Sequence, residues 1–361
     1  MSELSKRAVS VIARSAAFSQ IVSLLERLGG ERPDLLRVLT YHRVDHLEAR
    51  PALDPSLISA TPEAFDEQMS YLAAHCAVVS MPELLDACRN HTPLPERAVM
   101  VTFDDAYSDF AEHAWPVLKR HQIPATLFVP TALPDHPERG FWWDRLHQAV
   151  SETARRDELV TLAGRLPLAT PQQRAQTFRR LREHAKTLPH GEALAWVERV
   201  CGELGLSHPA HPVLGWEALR QLAREGVTLG AHTRTHPLMH RISVDEARTE
   251  AAGSLRDLES EIGSVLPIFA YPGGGLSDQV VQMLEQAGFA LAFTTARGIN
   301  DLRAADRLRL RRINVGRRAT LALIRAQMLP WLAHLPRFLD LRGRNEKRVT
   351  INHPLEAIDR Q

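Results

Sequence analysis

Two adjacent carboxylates, Asp104 and Asp105, follow a run of apolar and β-branched residues that begins at Ala98. The run has the composition of a buried strand, and α/β barrels place their chemistry at the carboxyl ends of such strands. Neighbouring carboxylates repel each other, so keeping both ionised requires a cation or strong hydrogen-bond donors. One acid could bind a metal ion while the other transfers protons. A single Asp would more simply cap the next helix, so the pair indicates chemistry only if distant partners exist.

Two histidines supply such partners at the end of a second apolar run, 226–231. His232 and His236 are four positions apart, and Pro237 disfavours a helix at His236, so we place both on a strand-to-loop turn. In a chain with 17 histidines, an isolated pair of this spacing is weak evidence. Together with Asp105, however, it makes a set of one carboxylate and two imidazoles, which leaves coordination positions open for water and substrate. Such a set suits zinc, and nickel or cobalt would also fit it.

Around these residues the chain resembles the polysaccharide deacetylases, the family 4 carbohydrate esterases whose catalytic domain is called the NodB homology domain. Residues 102–106 are similar to the family's TFDDG motif, with Ala106 where glycine is usual. Residues 232–237 are similar to its H(S/T)xxHP motif, and residues 270–274 are similar to its third motif, RxPxG. The resemblance covers roughly residues 35 to 315, which is most of the chain.

The resemblance implies a metal-dependent hydrolase that removes N-acetyl groups from an amino sugar in a polysaccharide or a glycan precursor. The implied metal ligands are Asp105, His232 and His236. The ion would polarise the acetamide carbonyl and lower the pKa of its water from about 16 toward about 7, and Asp104 would take the proton as general base. A backbone N–H near Tyr271, in the segment that continues with Pro272 and Gly273, would help to hold the oxyanion.

Two departures from the family pattern leave roles open. Ala270 stands where the third motif has an arginine that orients the base. Either another cation orients Asp104, or that base is tuned differently. The family's late motif, in which a histidine follows two residues after an apolar residue, is matched only by short segments that end in His334 and His353. Members that lack this motif place the acid histidine on the first strand, so we predict that His42 protonates the leaving amine.

Aromatic side chains near the predicted barrel mouth are candidate substrate contacts. Tyr41 precedes His42 at the end of the first predicted strand, as in many members of the family. Trp142 and Trp143 open a long charged segment, where exposed aromatics could stack on sugar faces. Each Trp taken singly is equally well explained as a core anchor for that segment. The arginines of the segment form either a solvated face or contacts for an anionic glycan or a lipid phosphate.

The elements that must position these residues alternate between strand and helix, which predicts a parallel sheet or barrel. We predict an α/β fold in which residues 33–330 form a distorted, seven-stranded (β/α) barrel. A mostly helical insertion interrupts it at about residues 140–216. Residues 1–32 are predicted to be an N-terminal helical segment with an amphipathic pattern, and residues 331–361 to be a C-terminal tail.

Composition bounds the partners of the protein. The 361 residues are 44% hydrophobic and 24% charged with a net charge of +1, which is typical of a globular protein and argues against nucleic-acid binding. Three scattered cysteines predict no disulfide framework and suit a reducing compartment. No apolar run is long enough to span a membrane, and Arg14 interrupts what would be the apolar core of a signal peptide. We therefore predict a cytoplasmic location, with contact between the basic N-terminal helix and the inner membrane surface as one option.

Three functions fit these observations. The first is the metal-dependent N-deacetylase of an acetylated glycan described above. The second is a hydrolase of the same fold that cleaves a non-peptide C–N bond in a small cyclic amide, and the third is a non-catalytic glycan-binding relative. The insertion and its aromatic residues favour the first function over the second. The presence of Asp104 together with all three candidate metal ligands argues against the third.

Overall fold

The computed structural model describes residues 15–28, 32–136, 140–207, 210 and 212–330. The predictions made for residues 1–14, for the tail 331–361 and for its two histidines, His334 and His353, therefore lie outside the described residues.

The strands alternate with helices along most of the chain. In chain order the strands are β1 (Leu35–Tyr41), β2 (Arg43–Val44), β3 (Ile58–Ala60), β4 (Ala77–Val78), β5 (Ala98–Phe103), β6 (Ala125–Val129), β7 (Glu158–Thr161), β8 (Gly164–Pro167), β9 (Thr228–Ala231), β10 (Ile268–Ala270), β11 (Leu291–Arg297), β12 (Asn300–Asp301) and β13 (Leu310–Asn314). The helices are α1 (Ala16–Leu28), α2 (Pro62–His75), α3 (Met81–Asn90), α4 (Trp115–Arg120), α5 (Trp142–Glu152), α6 (Pro171–Ala185), α7 (His190–Glu203), α8 (Trp216–Arg224), α9 (Val244–Ile262), α10 (Asp278–Gln286) and α11 (Leu321–Gln327).

Within the described residues, seven parallel strands close into a barrel, which confirms the predicted fold. The order around the barrel is β1, β5, β6, β9, β10, β11 and β13, and β13 pairs again with β1. β4 pairs with the start of β5, and β12 runs antiparallel beside the start of β1. Because the seven strands run in the same direction, their carboxyl ends meet at one mouth of the barrel.

Successive residues of a barrel strand contribute to two different apolar clusters. Val38 and Met100 belong to a cluster drawn mainly from the barrel strands themselves, which fills the barrel interior. Leu39, Tyr41 and Val101 belong to a cluster that includes residues of the surrounding helices. This alternation follows from the two-residue period of a strand. It decides which side chains at the strand ends point into the barrel and which point into the helical layer.

The segment between β6 and α8 carries α5, α6 and α7 together with the antiparallel hairpin β7–β8. It has an apolar cluster of its own, which includes Leu146, Leu181 and Trp196. Arg174 donates hydrogen bonds to five backbone carbonyls of this segment, at Leu168, Val150, Ser151, Thr153 and Arg155. Arg174 therefore stabilises the fold of the insertion and is not a free surface charge. None of the helices in the described part of the chain is both long enough and apolar enough to cross a membrane.

Candidate metal centre at the barrel mouth

The two adjacent carboxylates lie directly after β5, at the mouth of the barrel, and both are buried. Asp105 has a φ of 75° and Ala106 a φ of 51°, so both adopt the left-handed region. This region is costly for residues that carry a Cβ, which explains why the family has glycine at the position of Ala106. Backbone strain of this kind is concentrated at functional sites because it aims side chains that a regular strand could not aim.

The three predicted metal ligands come together. One ligand atom from each of Asp105, His232 and His236 lies within 4.8 Å of the other two. Asp105 Oδ1 is 3.5 Å from His232 Nε2 and 3.2 Å from His236 Nε2. Neither contact is a hydrogen bond, and no other described residue donates one to this buried oxygen. Burial opposes ionisation of Asp105, but the two imidazoles outweigh it and hold the pKa of this carboxyl well below its usual range.

The two histidine ligands occupy a loop that is fixed from several sides. Thr233 and His236 both have a φ above 60°, and Thr233 Oγ1 accepts a hydrogen bond of 3.0 Å from the His236 N–H. The carboxylate of Glu250, on α9, accepts hydrogen bonds of 2.7 and 2.8 Å from the N–H groups of Arg234 and Thr235. The loop conformation that brings both rings to Asp105 is therefore maintained by side chains outside the motif as well as inside it.

Asp104 is paired with an arginine that the sequence motifs did not identify. Arg312, on β13, donates two parallel hydrogen bonds of 2.8 Å to the two oxygens of Asp104, and its Nε donates to Thr294 O at 2.8 Å. Burial alone would raise the pKa of Asp104, and Arg312 opposes it so that the pKa is lowered. The family's arginine at the position of Ala270 is absent here, and Arg312, on a different strand, supplies the cation in its place. The available sequence signal was an arginine inside a buried strand, two residues after Leu310.

His42 lies on the turn between β1 and β2, where its N–H donates to Ser59 Oγ at 3.0 Å. The carbonyl oxygen of Tyr41, one residue earlier, accepts a hydrogen bond of 3.0 Å from the Asp104 N–H, so His42 follows β1 at the same mouth. The charge of His42 contributes to lowering the pKa of both Asp104 and Asp105. The next residue, Arg43, is buried and donates to Asp109 at 2.7 Å and to Asp45 at 3.2 Å. This buried ion pair fixes the turn that carries His42. The role of His42 as general acid remains a prediction.

Tyr41 does not line the mouth, which contradicts the prediction that it is a substrate contact. Its side chain is fully buried, its hydroxyl donates to Gln68 Oε1 at 2.8 Å, and its ring packs against Phe65 and Phe103. The physical reason is the alternation along β1. Thr40, one residue earlier, points into the barrel and contacts Thr102, so Tyr41 points outward into the helical layer.

In the segment predicted to hold the oxyanion, the available hydrogen-bond donor is a backbone N–H and not the side chain of Tyr271. The Tyr271 hydroxyl donates to Leu308 O, and the Tyr271 N–H donates to Phe293 O within the sheet. Pro272 has no N–H. No described residue accepts a hydrogen bond from Gly273, whose φ is 59°. The N–H of Gly273 is therefore the backbone donor left available in this segment.

The two tryptophans of the insertion differ in their surroundings. Trp143 is buried, stacks on Phe141 with ring centroids 4.4 Å apart, and donates from Nε1 to Tyr107 Oη at 2.9 Å. These contacts favour the anchor interpretation for Trp143 over a sugar platform. Trp142 is only partly buried and contacts Trp143 edge-on. It remains a candidate substrate contact.

A closed parallel barrel with a buried Asp-His-His set and an arginine-paired second carboxylate at its mouth has the architecture of a barrel hydrolase with a candidate metal centre. The family model for polysaccharide deacetylases matches residues 91–163 and 168–292, which is more than half of the chain. The chain therefore belongs to the polysaccharide deacetylase family. This confirms the family that the motifs predicted.

Relatives and solved structures agree with this assignment. The poly-beta-1,6-N-acetyl-D-glucosamine N-deacetylase of Escherichia coli K12 is 34% identical over 88 residues, which span 24% of this chain but only 12% of that protein. The deacetylase PplD of Streptococcus pyogenes, solved in complex with acetate, superposes with a TM-score of 0.56 at 21% identity over 83% of this chain and 100% of that one. The polysaccharide deacetylase BC0361 of Bacillus cereus gives a TM-score of 0.52 at 17% identity over 82% of this chain and 69% of that one. At these identities the structural likeness bears on the fold alone.

Proposed function

We propose that this protein is a metal-dependent hydrolase that removes N-acetyl groups from an amino sugar in a polysaccharide or a glycan precursor. The observation that carries the proposal is the division of labour between two adjacent buried residues. Asp105 faces two imidazoles, whereas Asp104 is held by Arg312. The curated relative in Escherichia coli is named for removal of N-acetyl groups from a glucosamine polymer, which supports the same substrate class here.

The residues present fit a divalent cation. Asp105 Oδ1 is buried without a hydrogen bond from any described residue, although two ring nitrogens lie close to it. A buried ionised oxygen without donors is costly unless a cation supplies the missing interaction. One carboxylate oxygen and two imidazole nitrogens are a donor set that zinc accepts, and nickel or cobalt also suits it. When bound, such an ion would polarise the acetamide carbonyl and lower the pKa of a coordinated water molecule.

Asp104 is proposed as the general base. The bidentate contact with Arg312 keeps its carboxylate ionised and fixes its plane, while each oxygen retains a further lone pair that can accept a proton. Asp104 would remove a proton from the attacking water as the water oxygen bonds to the acetamide carbon. The negative charge that develops on the carbonyl oxygen would be met by the N–H of Gly273.

His42 is proposed as the general acid that completes the reaction. When the C–N bond breaks, the leaving nitrogen must gain a proton, and a histidine at the end of β1, the strand that pairs with β5, can supply it. The products are then acetate and a free amine. His42 fits this role because it directly follows Tyr41, whose carbonyl oxygen accepts a hydrogen bond of 3.0 Å from the Asp104 N–H.

The test is acetate release from a panel of acetylated glycans and small cyclic amides, with and without a chelator. We expect release from a glycan, loss of release with the chelator, and recovery with added zinc. Asp104→Asn should retain the metal but lose turnover, and Asp105→Asn should lose the metal. Full activity of Asp104→Asn would remove the base assignment. Turnover of the cyclic amides alone would replace the proposed substrate class.

A further inference from the structure

The two histidines of the candidate metal centre are oriented by different means. The other ring nitrogen of His232, Nδ1, contacts Ala270 O at 2.7 Å, so a backbone carbonyl of β10 sets the orientation of this ring. Histidine ligands usually have such an acceptor. For His236 no described residue supplies one. Its ring instead lies edge-on to Trp143, with centroids 5.0 Å apart and planes at 67°, and to Phe141, at 5.8 Å and 78°.

The aromatic wall beside His236 belongs to the insertion, and it is tied to the loop that carries the third ligand. Trp143 Nε1 donates to Tyr107 Oη at 2.9 Å, and the Tyr107 hydroxyl donates to Asp144 Oδ2 at 2.6 Å. Asp144 Oδ1 accepts a hydrogen bond of 2.7 Å from the N–H of Asp54, in the loop between β2 and β3. Tyr107 follows Asp105 by two residues. One buried hydrogen-bonded chain therefore connects the wall beside His236 to the loop of Asp105.

The backbone makes a second connection at the same place. Where the chain returns from the insertion, the Leu214 N–H donates to Ala106 O at 2.9 Å, and the Ser108 N–H donates to Pro212 O at 2.7 Å. Tyr107 and Val213 form an isolated antiparallel bridge between these contacts. Both ends of the insertion are thus attached to the residues that directly follow Asp105.

We infer that the insertion is a structural part of the metal centre, in which Trp143 is a positioning residue that fixes the imidazole of His236 relative to Asp105. This inference rests on the proposed metal-binding function. A ring without a hydrogen-bonded partner can rotate about both of its side-chain bonds, and the edge-on contacts with Trp143 and Phe141 restrict that rotation. Removing the wall therefore releases the ring and weakens metal binding without removing any ligand atom.

The experiment measures the zinc dissociation constant of the full chain by competition with a coloured chelator. Changes that disturb the support of a histidine ligand typically weaken metal binding by about 10- to 100-fold, so we expect Trp143→Ala to weaken it by at least about tenfold. Trp143→Phe retains a ring against His236 and should recover most of the affinity. Trp142→Ala removes the neighbouring indole, whose ring contact is with Trp143 and not with His236. It is the matched control for affinity, and we expect it to change the dissociation constant by less than about twofold.

The outcomes separate this inference from the proposed function. If Trp143→Ala binds zinc as tightly as the natural protein while Asp105→Asn does not bind, the positioning role is wrong and the metal centre stands. Equal weakening by Trp142→Ala and Trp143→Ala would also overturn the role, because general loosening of α5 would then explain both. If the natural protein and Asp105→Asn bind zinc equally poorly, the metal centre itself is wrong. Should Trp143→Ala fail to fold, Trp143→Leu, which fills part of the space without a ring, carries the same expectation.

Discussion

The base half and the metal half of the candidate site are built in different ways, although Asp104 and Asp105 are neighbours in the chain. The base half consists of Asp104 and Arg312, which meet inside the barrel through hydrogen bonds between the end of β5 and the middle of β13. The metal half lies on loops whose residues adopt left-handed backbone conformations, and the insertion supports one of its rings. The barrel alone therefore positions the proposed base, whereas the candidate metal centre depends on segments that the barrel carries.

The buried carboxyls of Asp104 and Asp144 differ in whether a cation compensates their charge. Asp104 has a bidentate guanidinium, and its pKa is lowered in spite of burial. Asp144, which anchors the insertion, has no bidentate cation, and burial raises its pKa to about 7 although Tyr107 donates a hydrogen bond to it. A charge-compensated pair suits a group that must stay ionised during catalysis. An uncompensated acid suits an anchor that can hold a proton.

Breaking the base half should have the largest effect on stability. Arg312→Met leaves Asp104 buried without its cation, and removal of one partner of a buried ion pair costs about 3–5 kcal/mol. We expect the free energy of unfolding, measured by chemical denaturation, to fall by about that amount, and acetate release to fall with it. The double variant Arg312→Met, Asp104→Asn leaves no charge unpaired, so it should regain much of the stability without regaining activity. A single variant as stable as the natural protein would show that the pair does not organise this half.

The anchor of the insertion should show its raised pKa as a pH-dependent stability. The pKa of Asp144 is about 7 in the folded protein and about 3.9 in an unfolded chain. Between these values the folded state binds more protons than the unfolded state, so the contribution of this group to stability decreases as the pH rises from about 4 to about 7. Asp144→Asn does not titrate, and we expect it to remove that contribution to the slope of unfolding free energy against pH. Identical slopes for the two proteins would assign the slope to other groups.

How much of this could be predicted from the sequence depends on whether a residue belongs to a local pattern. The barrel and the set Asp105, His232 and His236 were predictable, because each motif follows an apolar strand and parallel strands share one mouth. Arg312 could not be paired with Asp104 in advance. The two are 208 residues apart, and only the closure of β13 onto β1, beside β5, brings them together. The family motif has its arginine at the position of Ala270, on β10, so the motif predicted this cation on a different strand from β13.

The incorrect prediction for Tyr41 and the open one for Trp143 have a common physical cause. Successive residues at the end of a strand point alternately into the barrel interior and into the helical layer. The sequence around Tyr41 did not show which of the two directions its side chain takes. An aromatic residue at the start of an insertion has the same composition whether it stacks on a ligand or packs against its own fold. Only the contacts of Trp143 with Tyr107 and His236 distinguish the two.

The departure from the family motif at Ala106 gives the smallest expected effect and tests how the metal half tolerates strain. Ala106→Gly removes the left-handed penalty of about 1–2 kcal/mol. It also removes a fully buried methyl group, worth about 0.8 kcal/mol, and adds about 0.5–1 kcal/mol of chain entropy lost on folding. These contributions nearly cancel, so we expect the free energy of unfolding to change by less than about 1 kcal/mol, with zinc affinity and acetate release preserved. A large loss of zinc affinity would mean that the methyl group of Ala106, buried against the core, takes part in holding Asp105 in place, and the two halves of the site would then be less separate than their hydrogen bonds indicate.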